Sequence, residues 1–138
     1  MAVNEAKRLG IFAALPLMLA ACVAEYNKDP EPNIFPAAYK KEILTTITPL
    51  LTDPTNVRDA FISEPALTSV NKDQRYTVCI RYNARDANRR YMGSTDRIAY
   101  FFAGHLNQLV EPRDQQCAKA AYKPFPELEK LCLGVKCE

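Results

Sequence analysis

The chain has no tryptophan, a single histidine (His105) and only four glycines. Four scattered glycines build no glycine-rich phosphate loop. No Gly-x-Ser-x-Gly elbow and no His-Glu-x-x-His pair occurs. No two cysteines stand three apart as Cys-x-x-Cys, which removes the thioredoxin-type redox signature and counts against a four-thiolate zinc site. Neither charge sign dominates: 18 Lys and Arg face 16 Asp and Glu, for a formal net charge of +2. Nothing in that balance attracts a polyanion, so no nucleic-acid partner is expected. No apolar run is long enough to span a bilayer as a helix. These absences leave no catalytic signature, no metal and no cofactor, and the chain reads as a non-enzyme.

What is present begins at the N-terminus. Lys7 and Arg8 precede an apolar stretch, Leu9 to Ala21, broken only by Gly10 and Pro16. As a helix that stretch would rise about 20 Å, against roughly 30 Å of hydrocarbon. A charged start, a short apolar run and small residues before a cut are the marks of a secretory signal. Ala20-Ala21 supply the small side chains a signal peptidase needs at an extended backbone. Leu19-Ala20-Ala21-Cys22 also resembles the bacterial lipobox. That resemblance implies a diacylglyceryl group on the Cys22 sulfur, cleavage before it, and palmitate-like acyl chains holding the new N-terminus to a membrane more firmly than one chain could. The competing readings are a buried cysteine in a core helix and an uncleaved anchor. Val23 stands where some enterobacterial lipoproteins carry Asp; by resemblance to them, this implies the outer membrane.

With Cys22 assigned to lipid, Cys79, Cys117, Cys132 and Cys137 remain. An even number in an oxidising compartment points to two disulfides with three possible pairings. Leu133 to Lys136 with Gly134 can close a short loop, so Cys132 with Cys137 and Cys79 with Cys117 is the expected pairing. The chain from Cys22 onward is one domain's length.

Three segments follow: a signal peptide at 1–21, a lipid-anchored tether at 22–36 rich in proline and charge, and a single α+β domain at 37–138. Tyr39, Ile43, Ile47 and Leu50 recur at helical spacing, and Pro49 should end that helix near Thr48. Val57 to Ser63 is a strand candidate. Tyr76, Val78, Ile80 and Tyr82 alternate with Thr77, Cys79, Arg81 and Asn83, the pattern of a half-buried strand. Ile98, Tyr100 and Phe102 alternate with Ala99 and Phe101, and Gly104 turns the chain into a return arm at Leu106 to Val110. Pro126 opens a short last helix, Glu127 to Leu131. The expected fold is therefore α+β: an N-terminal amphipathic helix packed on a roughly four-stranded antiparallel meander, then a short C-terminal helix and a disulfide-stapled tail. A Cys79–Cys117 bond would tie that tail across the second sheet face.

"DPTNVRD" (53–59), "YTVCIRYNARD" (76–86), "YMG" (91–93), "IAYFFAGHLNQLV" (98–110) and "YKPFPELEKLC" (122–132) together resemble a family of small alphaproteobacterial cell-envelope lipoproteins. The resemblance spans most of the chain after the tether. It implies an envelope lipoprotein and offers no catalytic residues to carry over.

Two features invite a functional reading. His105 follows Gly104 in a tight turn; as a general base it would need a nucleophile and an orienting acid beside it. Arg81, Arg85, Arg89, Arg90 and Arg97 face only Asp86 and Asp96 within their segment. They could grip an anionic partner such as a phosphate or a wall carboxylate, or simply line a solvated loop. The leading expectation is an interaction or assembly module, anchored by its N-terminal lipid at the outer membrane facing the periplasm. It would hold another envelope protein or a wall component. The alternatives are an inhibitor of a lysozyme-like wall hydrolase, with Arg85 to Arg90 on a protruding loop, and a small periplasmic hydrolase using His105.

Overall fold

The computed structural model describes residues 31–131. The signal peptide, Cys22, residues 22–30 of the tether, and Cys132 and Cys137 lie outside the described residues. The order of elements is α1 (Tyr39–Ile47), a 3-10 turn (Thr48–Leu50), β1 (Asp53–Ile62), β2 (Ala66–Val70), β3 (Asp73–Arg85), β4 (Tyr91–Phe102), β5 (His105–Val110), β6 (Lys123–Pro124) and α2 (Pro126–Glu129).

This corrects the expected α+β architecture. Strands take 48% of the described residues and helices 16%. The fold is a six-stranded antiparallel sheet with two short helices, not a helix on a four-stranded meander. The sheet runs β5-β4-β3-β1-β6, with β2 also paired to β3. The reason lies in β3. At 13 residues it is long enough for one edge to take two partners. Its first half pairs with β2, from Ala66↔Thr77 to Val70↔Asp73. Its second half pairs with β1, from Ile62↔Ile80 to Asp53↔Arg85. The opposite edge pairs with β4, from Thr77↔Tyr100 to Arg85↔Tyr91. β6 arrives from the C-terminal side and adds to β1.

Alternation along the strands divides the sheet into two faces. Val78, Ile80, Tyr82 and Ala84 of β3 point to the first face, with Ala99 and Phe101 of β4. Tyr39, Ile43 and Ile47 of α1, Val57, Ala60 and Ile62 of β1, and Phe125 and Leu128 around α2 complete that core. Each fully buried aliphatic or aromatic side chain there contributes about 1.5–3 kcal/mol. α1 stops where Pro49, which has no N–H, forces the backbone into a 3-10 turn; Thr48 Oγ1 donates to Leu44 O across the end.

The turns follow local chemistry. Ala103 and Gly104 both have positive φ, +50° and +81°, in the two-residue β4–β5 turn whose twist suits a hairpin. A Cβ on Gly104 would stand 3.1 Å from Ile34 Cγ2, because the segment before α1 runs over this turn. Ala103 N donates to Pro32 O, and Phe35 meets Tyr76 edge-on. The described part of the expected tether, residues 31–36, is thus laid against the domain. β1 carries Asn56 and Asp59 at positive φ, each at a shift of register against β3. Asn and Asp tolerate that conformation, and bulges need it.

Candidate functional site

The second face of the sheet carries the features that packing alone does not explain. Cys79 and Ile98 lie side by side there on β3 and β4. Cys117 is disulfide-bonded to Cys79, with a Cα–Cα distance of 5.8 Å. The bond draws the irregular segment after β5 across this face, and Tyr100, Ala120 and Tyr122 pack around it. The sequence places Cys79 on the face away from Val78 and Ile80, and the structure has it there. The Cys132–Cys137 pairing lies outside the described residues.

Arg81 occupies the next position on the same face. Its Nε and Nη2 donate to Asp96 Oδ1 and Oδ2 at 2.6 and 2.9 Å, and its guanidinium lies over the Tyr122 ring, 4.7 Å from the centroid. The fork-on-fork hydrogen bonding to Asp96 holds Arg81 protonated even more firmly than usual. Burial, then the Asp96 charge, push the Tyr122 hydroxyl above its ordinary range, against the opposing pull of Arg81.

Arg85 is folded down onto β1. Its Nε donates to Asp53 Oδ2 at 2.9 Å and its Nη2 to Thr55 Oγ1 at 3.1 Å, and the side chain is only 17% exposed. Hydrogen bonds from the Thr55 hydroxyl and N–H, with the Arg85 charge, hold the Asp53 carboxyl below its ordinary range despite partial burial. A carboxyl with a lowered folded-state value stabilises the fold when ionised. Its contribution is complete above the unfolded value, about pH 3.9, and is lost as pH falls through the lower folded value. Asp53→Asn is therefore expected to be less stable than wild type at neutral pH and to lose less on acidification below about pH 4. Urea midpoints measured from pH 6 to pH 2.5 check this; parallel declines would remove Asp53 from the account.

The other arginines scatter. Arg97 sits opposite Ile80, on the core face rather than beside Arg81, and reaches Glu111 Oε1 at 3.3 Å at the rim. Arg90 folds back on Asp86, whose carboxylate also accepts from the Asn88 and Arg90 N–H groups in the β3–β4 turn. Arg89, at φ +62°, has no side-chain partner among the described residues. Arg81 and Arg97 thus point to opposite faces of the sheet, and Arg81, Arg85, Arg90 and Arg97 are each paired with an acid. In the segment from Arg85 to Arg90, Arg85 is anchored to Asp53 and Arg90 is tied to Asp86 in its own turn.

His105 opens β5 with its side chain 82% exposed. Its Nδ1 lies 3.1 Å from Glu42 Oε1, and the other Glu42 oxygen accepts from Leu106 N. Glu42 thus fastens α1 to β5. No hydroxyl or thiol joins this pair among the described hydrogen bonds.

Sequence reasoning passed over a cleft of about 480 Å³ on the second face, beside the disulfide. Its floor is Tyr100, its far end the β2–β3 turn at Asn71, and one wall the segment from Glu111 to Gln116. A second opening of about 370 Å³ continues from it, sharing Val70, Tyr100 and Gln108 and including Arg75 and Phe102. The alternation of Ile98, Tyr100 and Phe102 already placed the two aromatic rings on one face. Nothing in the sequence brought Asn71 or Gln116 to them. His105 lines neither opening. Among the described residues, no group of three or more His, Cys, Asp or Glu side chains could hold a metal ion.

Comparison with protein-family models, with curated proteins and with solved structures finds no match to this chain.

Proposed function

We propose that this chain is a non-enzymatic envelope lipoprotein, held to the membrane by acyl chains on Cys22 and serving as an interaction or assembly module at the periplasmic side of a bacterial outer membrane. The observation that carries the reading is Leu19-Ala20-Ala21-Cys22 behind a charged start and a short apolar run. The Cys79–Cys117 disulfide supports it, because such bonds persist in exported proteins and are rare in a reducing cytosol. The resemblance to small alphaproteobacterial envelope lipoproteins points the same way. His105 has Glu42 as its one side-chain partner among the described residues, which favours a structural role over a hydrolytic one.

The experiment is labelling with palmitate in cells expressing wild type and Cys22→Ser. Wild type should incorporate the label and lose residues 1–21. Cys22→Ser should take up no label and keep a larger mass. Equal labelling of both, or none in either, would overturn the lipid anchor.

A further inference from the structure

We infer that the cleft floored by Tyr100 is a binding site for an uncharged saccharide. This deepens the reading above by naming the chemistry of the wall component; it rests on that reading only for where protein and ligand meet.

At about 480 Å³, and continuous with the opening beside it, the cleft falls within the size range of small-molecule sites. The Tyr100 ring offers an apolar surface on which the C–H face of a sugar ring can lie. Around it stand groups that both donate and accept. The side chains of Asn71, Gln108 and Asp114 make no hydrogen bond within the described residues. Each amide carries two N–H donors and two acceptor lone pairs, and Asp114 adds a carboxylate. Vicinal hydroxyls, each donor and acceptor at once, satisfy that mixture; a purely accepting anion does not. The charges agree, because Arg97 and Arg75 are paired with Glu111 and Asp73, and Arg113 is offset by Asp114, leaving no surplus to draw a phosphate.

The wall is also fixed in advance. Gln116 Nε2 donates to the Tyr100 hydroxyl at 2.9 Å, and its Oε1 accepts from Arg113 N at 2.7 Å. Gln116 directly precedes Cys117, which the disulfide pins to β3. Tyr100 is thereby held in place before any ligand arrives, which lowers the ordering cost of binding.

The test is calorimetric titration of the detergent-extracted, oxidised full-length protein with N-acetylglucosamine tetramer, with maltotetraose and with inorganic phosphate. At least one sugar should bind with a Kd below about 1 mM, and phosphate should not. The N-acetylated sugar binding alone would assign wall-type glycan; both binding would assign neutral glycan in general. Tyr100→Ala should weaken binding about tenfold or more. Gln108→Ala lies on an exposed strand edge and should fold normally while weakening binding several-fold, so a folding defect in Tyr100→Ala leaves the test intact. Arg89→Ala, at the far turn, should bind as wild type. No heat with either sugar at about 10 mM, binding of phosphate alone, or binding unmoved by Gln108→Ala would overturn the site. None of these results depends on acylation at Cys22, so failure here and failure of the lipid anchor are read separately.

Discussion

Replacing both members of the disulfide, as Cys79→Ala/Cys117→Ala, is expected to lower the stability of the folded domain by about 4 kcal/mol. The bond closes a loop with a sequence separation of 38, and the chain-entropy relation for a loop of that length gives roughly this value at 25 °C. For a domain of about 100 residues, that corresponds to a fall in Tm of some 15–30 °C. Most of the effect lies in the unfolded chain, which the cross-link restricts. A further part lies in the folded state, where Cys79, Ile98 and Cys117 form a small core of their own. Without the bond, the packing of Tyr100, Ala120 and Tyr122 and the Gln116–Tyr100 hydrogen bond are left to keep the segment after β5 on the sheet. Thermal unfolding of wild type with and without reductant, beside the double variant, checks this. Equal Tm in all three would show that the second face does not need its staple.

The second large effect comes from two adjacent residues. Phe101→Ala is expected to cost about 3–5 kcal/mol, the range for an aromatic ring removed from a closed core. Phe102→Ala should cost about 1 kcal/mol, the loss of partly exposed area and of its contact with Arg75. Phe101 is 1% exposed and touches the first-face core; Phe102 turns the other way, with the Arg75 guanidinium 4.7 Å from its ring centre. A one-residue slip of β4 would exchange the two. Denaturant unfolding of both variants therefore tests the register between β4 and β3. Equal costs, or the reverse order, would contradict it.

How much of this was legible in the sequence depended on local periodicity. β3 shows from Tyr76 to Asn83 because both its faces alternate without interruption. The β4–β5 turn shows because Gly104 stands between two apolar runs. β1 was harder. Its bulges at Asn56 and Asp59 insert residues out of step, so the period of two is lost, and only Val57 to Ser63 stands out of a strand that begins at Asp53. β2, Ala66–Val70, is mostly exposed and has no buried face to leave a pattern. β6 is two residues long and exists only because β1 offers it an edge. Without β2 and β6, the six-stranded sheet reads as a four-stranded meander. The arginines are distributed by register instead: Arg97 on β4 pairs with Ile80 rather than with Arg81, so the two side chains point to opposite faces of the sheet. The cleft was invisible for the opposite reason, since Asn71, Tyr100, Gln108 and Gln116 come from four separate stretches and meet only through strand pairing and the disulfide.

We propose that this domain is exported and lipid-anchored with its cysteines oxidised. The most direct measurement is the intact mass of protein extracted from membranes, with a non-reduced peptide map of the same sample. The predicted result is a species beginning at acylated Cys22, with the peptides of Cys79 and Cys117 joined and no free thiol at either. A species retaining Met1, or carrying free thiols at Cys79 and Cys117, would contradict it.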